Sequence, residues 1–125
     1  MPQIVILTER VSAFDEMARR LADAFQCQTD CASSIGDVDL AFGKAPDLLV
    51  IDAMVDGSDA LAVARQVIAV NAMINMAVVS DLSEDDFHEA SEGLGIMARI
   101  PASPGAKEAD MLVGLLKQMP GFDTK

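Results

Sequence analysis

Pro46-Asp47-Leu48-Leu49-Val50-Ile51-Asp52 is the stretch on which the fold turns. Four apolar residues run without interruption between a proline and an acid. A strand that faces solvent on one side alternates apolar and polar residues, whereas a strand covered on both sides has no reason to. Leu48–Ile51 is therefore read as the middle of a parallel sheet. Pro46 ends whatever helix precedes it, and Asp52 is the first polar residue past the strand.

Working outward, Ile4–Leu7 is a second continuous apolar run and residues 76–79 a third, and residues 97–100 make a further strand, stopped by Pro101. Residues 28–32 make a weaker strand. Amphipathic stretches separate them. Over residues 12–25, Phe14, Met17, Ala18, Leu21 and Phe25 recur at helical spacing, with Ser12 as the expected N-cap. Ile35, Val38, Phe42 and Ala45 mark a poor helix, softened by Gly36 and Gly43. Residues 59–70 carry Leu61, Ala64 and Ile68 on one face. Ser83 opens a fourth helix whose first-turn acids suit the helix dipole, and Gly93 and Gly95 close it. The fifth is expected over residues 106–119, with Ala109, Leu112, Leu116 and Met119 inward.

Strands that alternate with helices imply right-handed crossovers over a parallel sheet. The fold expected is α/β, a flavodoxin-like doubly wound five-stranded parallel sheet of order 2-1-3-4-5 with helices on both faces. One domain over residues 1–120 and a short tail, 121–125, account for the chain.

Composition removes several functions. The net charge of −11 repels phosphate backbones, which argues against direct nucleic-acid binding. No Lys or Arg lies between Arg65 and Arg99, while Asp81, Glu84, Asp85, Asp86, Glu89 and Glu92 crowd that interval. Such a region suits a basic partner or a metal ion, and the plainer reading is a solvated acidic face. No apolar run is long enough to span a bilayer, and Met-Pro-Gln does not begin a secretory signal, so a cytoplasmic location is expected. Cys27 and Cys31 are too few for a disulfide framework; on the second strand they would share a face, as packing residues or as a redox pair. No GxGxxG or Walker loop follows the first strand, and Phe is the only aromatic type, which leaves no Trp or Tyr to stack on a flavin. His88, among acids, reads as a surface residue, and most of the eight methionines stand at core spacing.

In a sheet of this order, ligands sit beyond the carboxyl ends of the strands. Those ends deliver Thr8 and Glu9, then Asp52, then Ser80 and Asp81. Two carboxylates and a hydroxyl suffice for Mg²⁺, which keeps most of its waters. A metal beside Asp52 would offset the charge of a phosphoryl group under attack by the carboxylate. Polar residues also end strands simply because the rim is wet.

Over nearly its whole length the sequence resembles the receiver domains of two-component response regulators. The resemblance rests on Ile4-Val5-Ile6-Leu7-Thr8-Glu9, on Pro46-Asp47-Leu48-Leu49-Val50-Ile51-Asp52, on Met54, on Ser80 and on Pro101. It implies Asp52 as candidate phosphoacceptor, Ser80 as the contact to the phosphoryl oxygen, and Glu9, Asp52 and the Met54 backbone carbonyl as Mg²⁺ ligands. It also implies a cis bond at Ile100-Pro101. The departures are as specific. Thr8 replaces the first acid of the usual pair, Ile100 the phosphoryl-binding lysine, Met97 the aromatic switch, Asp56 a proline, and Asp81 a small residue. Neither Arg99 nor Lys107 takes the lysine's place.

The resemblance therefore implies a signalling module rather than an enzyme, an atypical receiver in two-component or phosphorelay signalling with Asp52 phosphorylation absent or weakened. Mg²⁺ is expected to bind weakly or not at all. The partners implied are a histidine kinase, a phosphotransfer protein or an output protein, or a second copy. Each would dock on the face of the fourth helix, fifth strand and fifth helix. The alternatives are a phosphorylatable Mg²⁺-dependent receiver and a flavodoxin-like domain for another small ligand.

Overall fold

Leu48–Ile51 forms β3, the centre of the sheet, with every side chain buried. The computed structural model describes residues 3–41 and 44–118. β3 pairs in parallel with β1 (Ile4–Leu7) on one side and β4 (Asn75–Val79) on the other. β2 (Thr29–Ala32) lies outside β1, and β5 (Ile96–Ile100) outside β4. The order is 2-1-3-4-5, all parallel.

The two-residue period of a strand divides the core in two. Ile4, Ile6, Leu48, Val50, Ala77 and Val79 face α1 (Asp15–Phe25) and α4 (Ala106–Leu116), whose Met17, Leu21, Leu112 and Leu116 cover them. Val5, Leu7, Leu49, Ile51, Met76 and Val78 face the other way, under Val63, Ala64 and Val67 of α2 (Ala60–Val70) and Phe87 of α3 (Glu84–Ala90). Each of these Val, Leu, Ile, Met and Phe side chains, fully buried, contributes roughly 1.5–3 kcal/mol of transfer free energy, and the alanines less. Both faces are covered, as the uninterrupted apolar strands require.

Four departures from the sequence reading follow. Ser12 caps nothing: it sits inside a 3-10 turn, Val11–Phe14, and α1 begins only at Asp15. The poor helix between β2 and β3 is a single 3-10 turn, Ile35–Asp37. Ser34 Oγ takes the Gly36 N–H at 3.3 Å and Asp39 Oδ1 the Ala41 N–H at 3.0 Å, so side chains compete for the donors a helix would use. Ile35, Val38, Leu40 and Ala45 still pack on the second core cluster, while Phe42 and Gly43 lie outside the described residues. Cys27 precedes β2 rather than lying in it, and both thiols are free. The Ile100-Pro101 bond is not cis but trans, the form that X–Pro bonds favour unless packing selects otherwise.

A two-stranded antiparallel hairpin, Met54–Val55 with Ser58–Asp59, fills the passage from β3 to α2. Its turn residues Asp56 and Gly57 both have positive φ, 53° and 78°, the condition of the hairpin turns that Asp-Gly favours. Asp59 then caps α2, its Oδ1 accepting the Ala62 N–H at 2.8 Å, and Ser83 caps α3 through the Asp86 N–H at 3.2 Å. α4 ends at Leu116; Met119 and the tail lie outside the described residues. Among those described, no helix is long and apolar enough to cross a membrane.

Candidate functional site

The sheet's hydrogen bonding runs one residue past β1 and β3. The Thr8 N–H reaches the Ala32 carbonyl at 2.8 Å and the Asp52 N–H the Leu7 carbonyl at 2.9 Å. Thr8 and Asp52 thereby stand side by side at the carboxyl rim, and both are buried, at 1% and 2% exposure. A bare carboxylate at that depth would be costly. This one is not bare.

Four donors converge on Asp52. On Oδ2, the Thr8 hydroxyl donates at 2.6 Å and Arg10 Nε at 2.9 Å. On Oδ1, Arg10 Nη2 donates at 2.7 Å and the Ala53 N–H at 2.7 Å. A carboxylate offers about four lone-pair positions, so every one of them is taken. Arg10 is itself held in place. Its Nη2 also donates to the Ala102 carbonyl at 3.2 Å, and its guanidinium carbon lies 5.8 Å from the centre of the Phe14 ring. The Thr8 hydroxyl oxygen accepts the Arg10 N–H at 2.9 Å, which fixes the backbone from which Arg10 turns back.

Burial pushes the Asp52 carboxyl up. Hydrogen bonds from Arg10, Thr8 and the Ala53 amide, together with the charge of Arg10, outweigh it and hold the group below its ordinary value. The hydrogen bond to Asp52 raises Arg10 in turn, against the effect of burial. The pair is an ion pair across the ordinary pH range.

The structure brings some of the expected site residues to this centre and leaves others away from it. Asp52 and Thr8 form it. Glu9 is exposed and is not one of the groups hydrogen-bonded to Asp52. Met54 opens the hairpin with an exposed side chain. Ser80, half-buried past the end of β4, accepts the Leu82 N–H at 3.2 Å. It lines an open cleft of about 430 Å³ with Ala53, Asp59, Leu61, Arg65 and Asp81. Among the described residues, no three or more His, Cys, Asp or Glu side chains group so as to hold a metal. Ile100 is wholly buried in the first core cluster, and Arg99 and Lys107 are exposed.

Sequence reasoning missed Arg10. A signal was present: it is the first cation of the chain and stands two residues past a threonine where an acid pair is usual. A buried rim aspartate with one acid fewer around it leaves room for a guanidinium.

No protein-family model matches the chain, and no curated protein matches it in sequence. Solved structures do match it in shape. The non-phosphorylated HemR receiver domain of Leptospira biflexa superposes with a TM-score of 0.75 at 16% identity, over 95% of this chain and 96% of that one. A two-component response regulator from Clostridium difficile gives 0.73 at 14% identity, over 94% of each chain. The phosphorylated cyanobacterial phytochrome response regulator RcpA gives 0.70 at 15% identity, over 98% of this chain and 96% of that one. Along almost its entire length, then, the protein has the fold of the response-regulator receiver domains.

Proposed function

We propose that the protein is an atypical receiver that signals through protein contacts, with phosphorylation of Asp52 absent or weakened. The observation that carries this reading is the Asp52 carboxylate, whose four acceptor positions are all filled by Thr8, Arg10 and Ala53. A carboxylate attacks phosphorus through a free lone pair, and it needs a cation to offset the charge of the incoming group. Here the lone pairs are occupied and the cation is a side chain. Ile100, apolar and buried, supplies no ammonium to an acyl phosphate. A charge-assisted contact of that kind is worth roughly 1.5–3 kcal/mol.

The receiver fold implies Mg²⁺ on Glu9, Asp52 and the Met54 carbonyl. The donor set does not suit it, because a metal would have to displace Arg10 from both oxygens of Asp52, and Glu9 is exposed.

The partner surface of this reading is the face of α3, β5 and α4. A groove of about 340 Å³ lies there, with Phe87, Met97, Met111 and Leu115 along it and Glu84 at its edge. The first-turn acids Glu84, Asp85 and Asp86 add negative charge. Such a surface suits a histidine kinase, a phosphotransfer or output protein, or a second copy, that presents basic and apolar side chains. The setting is the cytoplasm.

Incubation with acetyl phosphate and Mg²⁺, followed by intact-mass measurement of wild type and Asp52→Asn, tests the reading. Little or no adduct is expected on either. A near-stoichiometric, labile phosphoryl adduct on wild type that vanishes in Asp52→Asn overturns it.

A further inference from the structure

We infer that Arg10 takes the place of the divalent cation of this fold and latches the site shut, so that Asp52 accepts a metal only when the guanidinium is removed. Only the choice of cation rests on the receiver reading. The latch itself rests on geometry.

Arg10 binds both oxygens of Asp52 and the Ala102 carbonyl at once. It thus ties together the ends of β1 and β3 and the loop that follows β5. Those are the segments a metal and a lysine would otherwise join by charge. Arginine suits the task for a physical reason. Its planar fork satisfies two carboxylate oxygens in fixed directions, and it keeps its charge at any ordinary pH. A lysine, a single point of charge, would hold one oxygen and leave the other to water.

The latch also has a way out. The Arg10 side chain is 46% exposed against 3% for Asp52. Withdrawal of the guanidinium therefore returns a cation to water while leaving a buried anion behind. That anion is what would draw in a metal. Mg²⁺ needs only one or two protein carboxylates and brings its own water, and Glu9 stands next to the latch in sequence.

The test measures divalent binding to wild type, Arg10→Ala and the Arg10→Ala/Asp52→Asn double variant. Mn²⁺ is read by water-proton relaxation and Mg²⁺ by the shift in thermal midpoint. Arg10→Ala should melt below wild type and regain stability in Mg²⁺, since a ligand that binds only the folded form stabilises it. Its affinity for Mn²⁺ should exceed that of wild type by about tenfold or more, equivalent to about 1.4 kcal/mol. The double variant should show neither effect. Arg10→Gln, which keeps most of the side-chain length, repeats the measurement in case Arg10→Ala folds poorly.

Equal affinity in wild type and Arg10→Ala overturns the latch, as does a folded Arg10→Ala without a metal site. If both variants stay unfolded even in Mg²⁺, Arg10 is a structural prop that no metal replaces, and the inference fails as well. Near-stoichiometric phosphorylation of wild type would overturn the absent or weakened phosphorylation of Asp52 proposed above, whereas these outcomes bear on Arg10 alone.

Discussion

Arg10 and Asp52, 42 residues apart in the chain, meet through two parallel N–H···O bonds of 2.9 and 2.7 Å. The carboxylate is buried and the guanidinium is half in water. Local sequence brings each to the rim for its own reason, Asp52 as the first residue past the central strand and Arg10 in the turn before α1. The parallel pairing of β1 with β3 makes them neighbours.

The pair's contribution to stability can be isolated. Arg10→Ala leaves Asp52 buried with only the Thr8 hydroxyl and the Ala53 amide, and should cost about 1–3 kcal/mol. Exposure of Arg10 keeps the loss below the ~3–5 kcal/mol of breaking a fully buried pair. Asp52→Asn should cost a similar amount. The double variant should lose less than the sum, with a coupling of about 1–2 kcal/mol in urea denaturation. Additive losses would mean that the contact contributes nothing of its own.

Acid should reveal the same pair. Asp52 titrates below its ordinary value of 3.8 when folded, so the unfolded chain binds the proton more readily. Its contribution is complete above that ordinary value and is lost as pH falls through the lower, folded one. Stability against pH for wild type and Asp52→Asn should therefore run parallel in the neutral range. The two curves should converge below about pH 4, where unfolded aspartates take up protons. The raised Arg10 acts in the opposite sense, its share being lost only above the arginine range, outside working conditions.

The rim position of Asp52 was legible because it follows from strand periodicity and topology, which local sequence carries. The Ser83 cap and the glycine stop after α3 were legible for the same reason, and Gly93 and Gly95 do have positive φ. Arg10 was not. The reach of a long side chain from an irregular turn has no period, and its partner is fixed only once β1 lies against β3. The turn at Ile35–Asp37 escaped because apolar spacing records what packs inward. It does not record whether side chains such as Asp39 hold the backbone donors. The hairpin after Asp52 is hidden because, against the receiver pattern, Asp56 stands as a missing proline rather than as the first half of Asp-Gly.

That hairpin gives a third prediction. Gly57 has φ of 78°, and a Cβ there would meet nothing within 4 Å. Gly57→Ala should therefore cost only the backbone term, roughly 1 kcal/mol, in chemical denaturation. A loss several times larger would mean that the hairpin packs against something beyond its own turn.

The fourth prediction concerns the missing lysine. Ile100 is enclosed in the cluster that includes Ile4, Val79 and Ala109. Ile100→Lys removes apolar contact and brings an ammonium toward that core. The cost should be about 2–5 kcal/mol, the range for truncating a buried isoleucine, with desolvation of the charge added. Restoring the family's lysine should still not restore phosphotransfer, because Arg10, Thr8 and Ala53 continue to occupy every acceptor position of Asp52. Acetyl phosphate should leave the mass of Ile100→Lys unchanged. Labelling should require loss of Arg10 as well, in Arg10→Ala/Ile100→Lys with Mg²⁺ present. If Ile100→Lys alone acquires a labile phosphoryl group while Arg10 is intact, the filled carboxylate is not what keeps Asp52 from reacting.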